Sequence, residues 1–277
     1  MLAELERSAA LALGMAAGSI AALPGSEVGL RLLDTIGLPT PACIVVPSYG
    51  TYAAALPQAT PIMVEDLAHG REAIGGTILL ANPNNPDGRI VPPSELLATA
   101  RALGRGGGWL VVDEAFADAD PASSILPLLE EADPVLVFRS FGKFYGLAGV
   151  RLGFVCGPER MVARFRDRLG DWPVSSTAIA IGSAAYSDRA WQAKARTCLA
   201  TTASELDVVL LRHGFAPRGD CTLFRLVETP AEAGVFERLG RAGILCRPFD
   251  FAPNWLRFGL PRDTAVLDRL DRALAHR

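Results

Sequence analysis

The chain has 277 residues, half of them apolar and 21% charged, with a formal net charge of −3. That length builds one or two domains of about 100–200 residues around a core that needs no covalent staples. The residue balance excludes disorder, collagen and coiled coil, and a pI near 5.7 gives no reason to expect a nucleic-acid partner.

From Ser8 to Ser26 the chain carries no charge. Arg7 is flanked by Glu4 and Glu6 and makes a poor start for a signal peptide. Gly14, Gly18 and Pro24 interrupt the stretch before the ~20 apolar residues that a spanning helix requires. The expectation is a helix followed by a buried turn, with no membrane segment. Beyond it, CIVV (43–46), PIMV (61–64), TILLA (77–81), WLVVDE (109–114) and VLVFRS (135–140) read as short buried strands bounded by Pro, Gly or Asp. Val28–Ile36, Tyr52–Leu56, Ser94–Leu103 and Ser123–Glu131 between them read as helices, with Ser94 as an N-cap. This alternation predicts an α/β domain with a mostly parallel sheet.

After Pro158 the texture changes. Glu159–Leu169 and Thr177–Leu211 are helical in pattern, followed by TLFRLV (222–227), a helix near Ala231–Arg241, ILCRPF (244–249), WLRFGL (255–260) and a final helix. The expected organisation is a large domain over 1–165, and over 166–277 a long helix with a smaller C-terminal α+β domain. The GRGGG stretch (104–108) is a turn without the context of a dinucleotide loop, and no internal repeat is visible.

Cys43, Cys156, Cys198, Cys221 and Cys246 are scattered and form no CxxC pair. A disulfide framework and a zinc site are not expected, and a reducing, cytoplasmic setting is. His69, His213 and His276 are isolated and read as surface or packing residues with no metal role.

Four clusters fall at predicted strand ends, where open α/β sheets hold their ligands. Asn82-Pro83-Asn84-Asn85-Pro86-Asp87-Gly88 follows TILLA, although Asn, Pro and Gly also simply make turns. Asp113-Glu114 ends WLVV; a carboxylate there is either a surface turn or a buried charge that needs a partner. Ser140-Phe141-Gly142-Lys143 places an amine among small and aromatic residues. Arg151 lies eight positions on and can meet an anion also touched by Ser140. Taken together, the clusters have one economical explanation. Lys143 joins an aldehyde cofactor, Asp113 holds its protonated ring nitrogen and Asn85 its phenolic oxygen. Ser140, Arg151 and the amides at Gly25-Ser26-Glu27 hold its phosphate. That cofactor is pyridoxal 5′-phosphate.

The segments PGSEVGL (24–30), VPSYGTY (46–52), NPNNPDG (82–88), VVDEAF (111–116), SFGKFYGLAGVRLGF (140–154) and WLRFGLP (255–261) carry a resemblance. In them the chain resembles the fold-type I, class I/II pyridoxal-phosphate aminotransferases from about Pro24 to the C-terminus. The resemblance implies Lys143 as Schiff-base lysine, Asp113 as ring-nitrogen partner, Asn85 at O3′ and Tyr49 as the stacking aromatic. It makes Ser140 and Arg151 phosphate ligands, beside the Ser26 and Glu27 amides read above, and Arg257 the grip on the substrate carboxylate; Arg247 is a further candidate for anionic substrate groups, because arginine suits bidentate oxyanion binding. VVDEAFADADP (111–121), FRSFGKFYGLAGVRLGF (138–154), GDWPVS (170–175) and CRPFD (246–250) are most similar to the threonine-phosphate decarboxylase branch, which serves cobalamin synthesis and lies close to the histidinol-phosphate aminotransferases. The implied reaction is decarboxylation of an amino-acid phosphate by a homodimer. The alternatives are transamination and a non-catalytic chain that keeps the fold. Two departures stand out: Phe116 where the family places Tyr, and 23 residues before Pro24 where relatives carry several dozen, which implies a shortened N-terminus.

Overall fold

The computed structural model describes residues 1–69 and 76–275. They form two units, Met1–Asn85 with Val91–Arg189, and Pro86–Ile90 with the residues from Ala190 on. The boundary expected at 165/166 falls inside a helix, Glu159–Leu169, and the units meet instead after Arg189. His276 and the side chain of His69 lie outside the described residues.

The first unit begins with α1 (Leu2–Leu13), β1 (Ile20–Leu23), α2 (Ser26–Arg31), β2 (Ala42–Val45), α3 (Thr51–Ala55), β3 (Thr60–Ile62) and α4 (Asp66–His69). It continues with β4 (Thr77–Ala81), α5 (Pro93–Arg105), β5 (Trp109–Asp113), β6 (Val135–Ser140), β7 (Gly153–Cys156), α6 (Glu159–Leu169) and α7 (Ser176–Ser187). Its seven-stranded sheet runs β1-β7-β6-β5-β4-β2-β3. The ladders from β6 to β3 are parallel, and β7 and β1 add an antiparallel edge. The apolar runs 77–81, 109–113 and 135–139 are buried along their whole length, as strands covered on both faces must be. On one face Leu79, Val111 and Phe138 pack with Leu30 and Leu33, with Met161 and Phe165 of α6, and with Tyr52 of α3.

Short helices form where local chemistry allows. In α2, Glu27 and Arg31 pair at i,i+4, with the acid in the first turn and the base in the last, which suits the helix dipole. In α5, Leu96, Ala100 and Leu103 are buried on one stripe.

Several expectations are corrected. The turn expected within Ser8–Ser26 is strand β1, and β7 was not anticipated at all. The PIMV strand is an edge strand, mostly exposed. The helix α5 starts with Pro93 at its first positions, where a missing N–H costs nothing, and Ser94 is inside it, with Pro92 as its cap. Thr177–Leu211 is two helices, α7 and α8 (Arg189–Arg212). ILCRPF contributes only a two-residue strand.

The helix expected over Ser123–Glu131 is replaced by two 3-10 turns, Pro121–Ser123 and Leu126–Leu128. Pro127 cannot donate to the helical ladder. The buried Glu114 also claims the segment's donors: it accepts from Ser124 Oγ at 2.6 Å and from the Ile125 amide at 2.7 Å. Arg139 completes this network. Its guanidinium donates to Glu114 at 2.6 Å and also pairs with Asp118, all three side chains being buried. Glu114 and Arg139 thereby tie the ends of β5 and β6 together.

The second unit holds most of α8, then β8 (Pro217–Arg218), β9 (Phe224–Glu228), α9 (Glu232–Arg241), β10 (Arg247–Pro248), β11 (Trp255–Gly259) and α10 (Thr264–Ala275). Its antiparallel sheet runs β10-β11-β9-β8, and Val227, Leu256 and Phe258 pack with Leu206, Leu239 and Leu270. His213 lies here, 2.7 Å from Asp271, which also pairs with Arg212. Among the described residues no helix is long and apolar enough to cross a membrane. Removing the cation from the Glu114–Asp118–Arg139 network leaves two buried carboxylates uncompensated. Arg139→Met is therefore expected to lower stability by roughly 3–5 kcal/mol, measured by urea unfolding.

Candidate active site

One pocket of the first unit lies at the carboxyl ends of β4, β5 and β6. Ser26, Glu27, Tyr49, Asn85, Asp113, Ser140, Lys143 and Arg151 all line it, together with Tyr52, Phe116 and Ala148. The eight residues expected at a cofactor are thus brought together from positions up to 125 apart in sequence. Arg247 and Arg257 belong to the second unit.

Asp113 sits two residues beyond Val111, on the same face of β5. The residue is only 5% exposed. Oδ2 accepts from the Tyr52 hydroxyl at 2.8 Å and Oδ1 from the Ala115 amide at 3.1 Å. Burial pushes its pKa up from 3.8 to about 6, against the pull of these two donors and of nearby Lys143. Two hydrogen bonds and one amine do not repay the desolvation in full, so the carboxylate favours a further cation in the pocket.

Lys143 follows β6 in a turn pinned by aromatics: Phe141 stacks on Tyr145 at 4.4 Å, and Tyr145 meets Phe144 and Tyr186 edge-on. The lysine itself is exposed to the pocket, its Nζ 5.7 Å from the Phe116 ring centroid. Asn85 is carried by a loop that Asn82 fastens. The fully buried Asn82 amide group donates to the Val91 and Ser123 carbonyls and accepts from the Val91 amide at 2.8 Å. Asn84 ties the same loop to the Pro47 carbonyl, next to Tyr49. The turn reading and the functional reading of this motif therefore coexist: the first two asparagines build the loop that presents the third.

Backbone also lines the pocket. Gly25, with φ of 95°, caps α2, whose first amides belong to Ser26 and Glu27. The Glu27 carboxylate is drawn off by Arg31 and Thr51. Gly153 of β7 lets this turn come close: a Cβ there would lie 2.4 Å from the Ser26 nitrogen. The Arg151 guanidinium packs on Gly25, where a Cβ would lie 2.7 Å from Nη2. Arg151 is the one described non-glycine residue with positive φ, 56°, a strained conformation that marks a site where orientation matters more than backbone comfort. An amine for a carbonyl carbon, a buried acid for a ring cation, and amides with a guanidinium for an anion are what this pocket offers.

In the second unit Arg247 and Arg257 are register partners across β10 and β11. Arg257 lies over the Phe224 ring at 4.9 Å, and both arginines lie over Phe249. Burial and the charge of Arg247 hold the Arg257 pKa below its ordinary value, so the pair favours an anion.

Two functional features escape the sequence reading. Tyr52 is hidden because it looks like one more apolar position of a short helix; only the three-residue spacing from Tyr49 hints that the two share a face. Arg139 is hidden inside a hydrophobic run, where a lone charge is itself the signal that a buried partner exists.

The raised pKa of Asp113 has a thermodynamic consequence. Between pH 3.8 and about 6 the folded chain holds a proton that the unfolded chain has released, so stability falls as pH rises through that window. Above it the full penalty, on the order of 3 kcal/mol, is present. Asn at 113 keeps both hydrogen bonds, accepting from Ala115 and donating to the Tyr52 oxygen. In ligand-free protein, Asp113→Asn is expected to raise the melting temperature at pH 7.5 and to bring no gain at pH 3.5.

Residues 63–274 match the family model for aminotransferase class I and II. A threonine-phosphate decarboxylase from Sinorhizobium sp is 42% identical over 259 residues, covering 91% of this chain and 76% of that protein. One from Pseudomonas aeruginosa is 38% identical over 274 residues, 98% of this chain and 81% of its own length. The solved structure of histidinol-phosphate aminotransferase from Sinorhizobium meliloti, in complex with pyridoxal 5′-phosphate, superposes with a TM-score of 0.83 at 25% identity, over 99% of this chain and 81% of that one. The parallel sheet, the lysine after β6 and the matched family model place this chain in the class I and II aminotransferase family.

Proposed function

We propose that the chain is a pyridoxal 5′-phosphate-dependent decarboxylase of L-threonine O-3-phosphate. The observation that carries the reading is one pocket lined by an accessible amine, a buried carboxylate that favours a cation, and backbone amides with a guanidinium suited to an anion. That donor set fits the aldehyde, pyridinium and phosphate of this cofactor. The two decarboxylase relatives supply the substrate.

When bound, the cofactor supplies an electron sink for a bond at the substrate Cα. Lys143 Nζ would hold its aldehyde carbon and Asp113 would keep its ring nitrogen protonated. Asn85 would donate to its phenolic oxygen, a contact to which Phe116 adds no hydroxyl, and Tyr49 would cover the ring. Ser140, Arg151 and the amides of Ser26 and Glu27 would hold the phosphate. Reaction choice would then rest on substrate orientation, set by the residues that anchor its charged ends. Arg257 would grip the substrate carboxylate and Arg247 its phosphate, both suited to bidentate oxyanion binding. The substrate amine would take the place of Lys143 Nζ, and once CO₂ had left, the lysine amine so released would deliver a proton to Cα. The product is 1-aminopropan-2-yl phosphate.

Purified protein supplied with the cofactor is expected to release CO₂ from threonine O-phosphate with no keto acid formed. Keto-acid formation from an amino acid would instead move the reading to an aminotransferase. Lys143→Ala is expected to lose both turnover and the cofactor's visible absorbance. Arg247→Ala should raise KM for the phosphorylated substrate roughly 10- to 100-fold, the equivalent of one charge-assisted hydrogen bond, with a smaller change in kcat. The homodimer implied by family resemblance predicts a native mass near twice 29.4 kDa, read by sedimentation.

A further inference from the structure

Among the described residues Tyr52 is the bulkiest side chain with no exposed surface. Its ring is part of the core of the first unit, with Leu30, Val111 and Phe138. Phenylalanine would fill that volume equally well. A buried hydroxyl costs stability unless it is hydrogen-bonded, and this one is spent on Asp113 Oδ2 at 2.8 Å. The Ala115 amide takes the other oxygen. Two donors from fixed elements, α3 and the turn after β5, set the plane in which the carboxylate lies. The ring of Tyr52 also stands edge-on to Tyr49, 5.8 Å between centroids at 88°. The same residue therefore touches both the buried acid and the aromatic at the pocket mouth.

We propose that Tyr52 is a positioning residue: its hydroxyl keeps the Asp113 carboxylate ionised and turned toward the pocket. Its bearing on catalysis rests on the cofactor reading above, since a charged acceptor of fixed direction is what a ring N–H requires. The bond itself does not depend on that reading. The charged and titratable groups around Asp113 are Lys143 from the turn after β6, Glu114 beside it on the chain, and Tyr52 from α3. Of these, Lys143 and Tyr52 favour the ionised form, and only Tyr52 does so through a direct side-chain hydrogen bond. Burial and the adjoining carboxylate hold the Tyr52 hydroxyl well above its ordinary pKa of 10, so it remains a donor throughout the working pH range.

The test is made on ligand-free protein carrying ¹³C-labelled aspartate. The Asp113 signal is assigned by its loss in Asp113→Asn and its titration followed by NMR in wild type and in Tyr52→Phe. The expected result is a midpoint raised by roughly one pH unit in Tyr52→Phe, a tenfold change in the ionisation equilibrium. The melting-temperature difference between the two proteins is expected to vary with pH and to lose that variation in the Asp113→Asn background. An unmoved midpoint, or an equal loss of stability at every pH and in both backgrounds, overturns the proposal. Should Tyr52→Phe fail to fold, uniform replacement of tyrosine by 3-fluorotyrosine makes the phenol a stronger donor; the midpoint then falls, and a fixed midpoint overturns the assignment. In cofactor-loaded protein, Tyr52→Phe is expected to lower kcat with little change in KM. Failure of the wild-type chain to bind the cofactor removes the proposed function, and the ligand-free titration still decides the role of Tyr52.

Discussion

Asp113 pairs with Phe138 across the parallel β5–β6 ladder, and that register fixes how far the buried carboxylate lies from the amine at 143. Side chains alternate along a strand, so a slip of one residue would turn Asp113 away from the pocket and bring Glu114 into its place. The ladder is therefore secured beyond its last paired residue. The Glu114 amide donates to the Phe138 carbonyl at 2.8 Å, and the Glu114 carboxylate binds Arg139 on the neighbouring strand. Backbone and side chain of one residue clamp the geometry that its predecessor uses.

The two adjacent acids are both buried, and burial raises the pKa of each, but their surroundings differ. Glu114 is enclosed with a guanidinium, a hydroxyl and an amide, which offset part of the charge it buries. Among the described residues Asp113 has a hydroxyl and an amide as hydrogen-bond partners and faces open space. Glu114 has a directly bonded cation within the fold; Asp113 is left short of one, and that shortfall is available to a ligand. A charge of this kind weakens the empty protein and strengthens the loaded one, the usual balance between stability and function at a binding site.

Much of this was legible in the amino-acid order. Runs such as TILLA and WLVVD are too short for helices and too apolar for a surface, so only buried parallel strands accommodate them, and their ends carry the asparagine, the acid and the serine. The pocket residues were legible because their chemistry is unusual at strand ends. What escaped was set by tertiary context. Ile20–Leu23 has no alternation and follows Gly and Ala, so nothing local separates an edge strand from a turn. Ser123–Glu131 has helical spacing, yet Pro127 and the demand of Glu114 for donors override it. Tyr52 escaped because an aromatic in an apolar stripe reads as packing until the position of its hydroxyl is known.

The contact between Gly153 and the Gly25–Ser26 turn also has a consequence for where the first amides of α2 lie. A Cβ at 153 would fall 2.4 Å from the Ser26 nitrogen and 2.9 Å from the Arg139 carbonyl oxygen, so three stretches of main chain meet there with no room for a side chain. A methyl group added at 153 would force the turn or β6 to move, and the placement of the Ser26 amide therefore resides in an atom the chain leaves out.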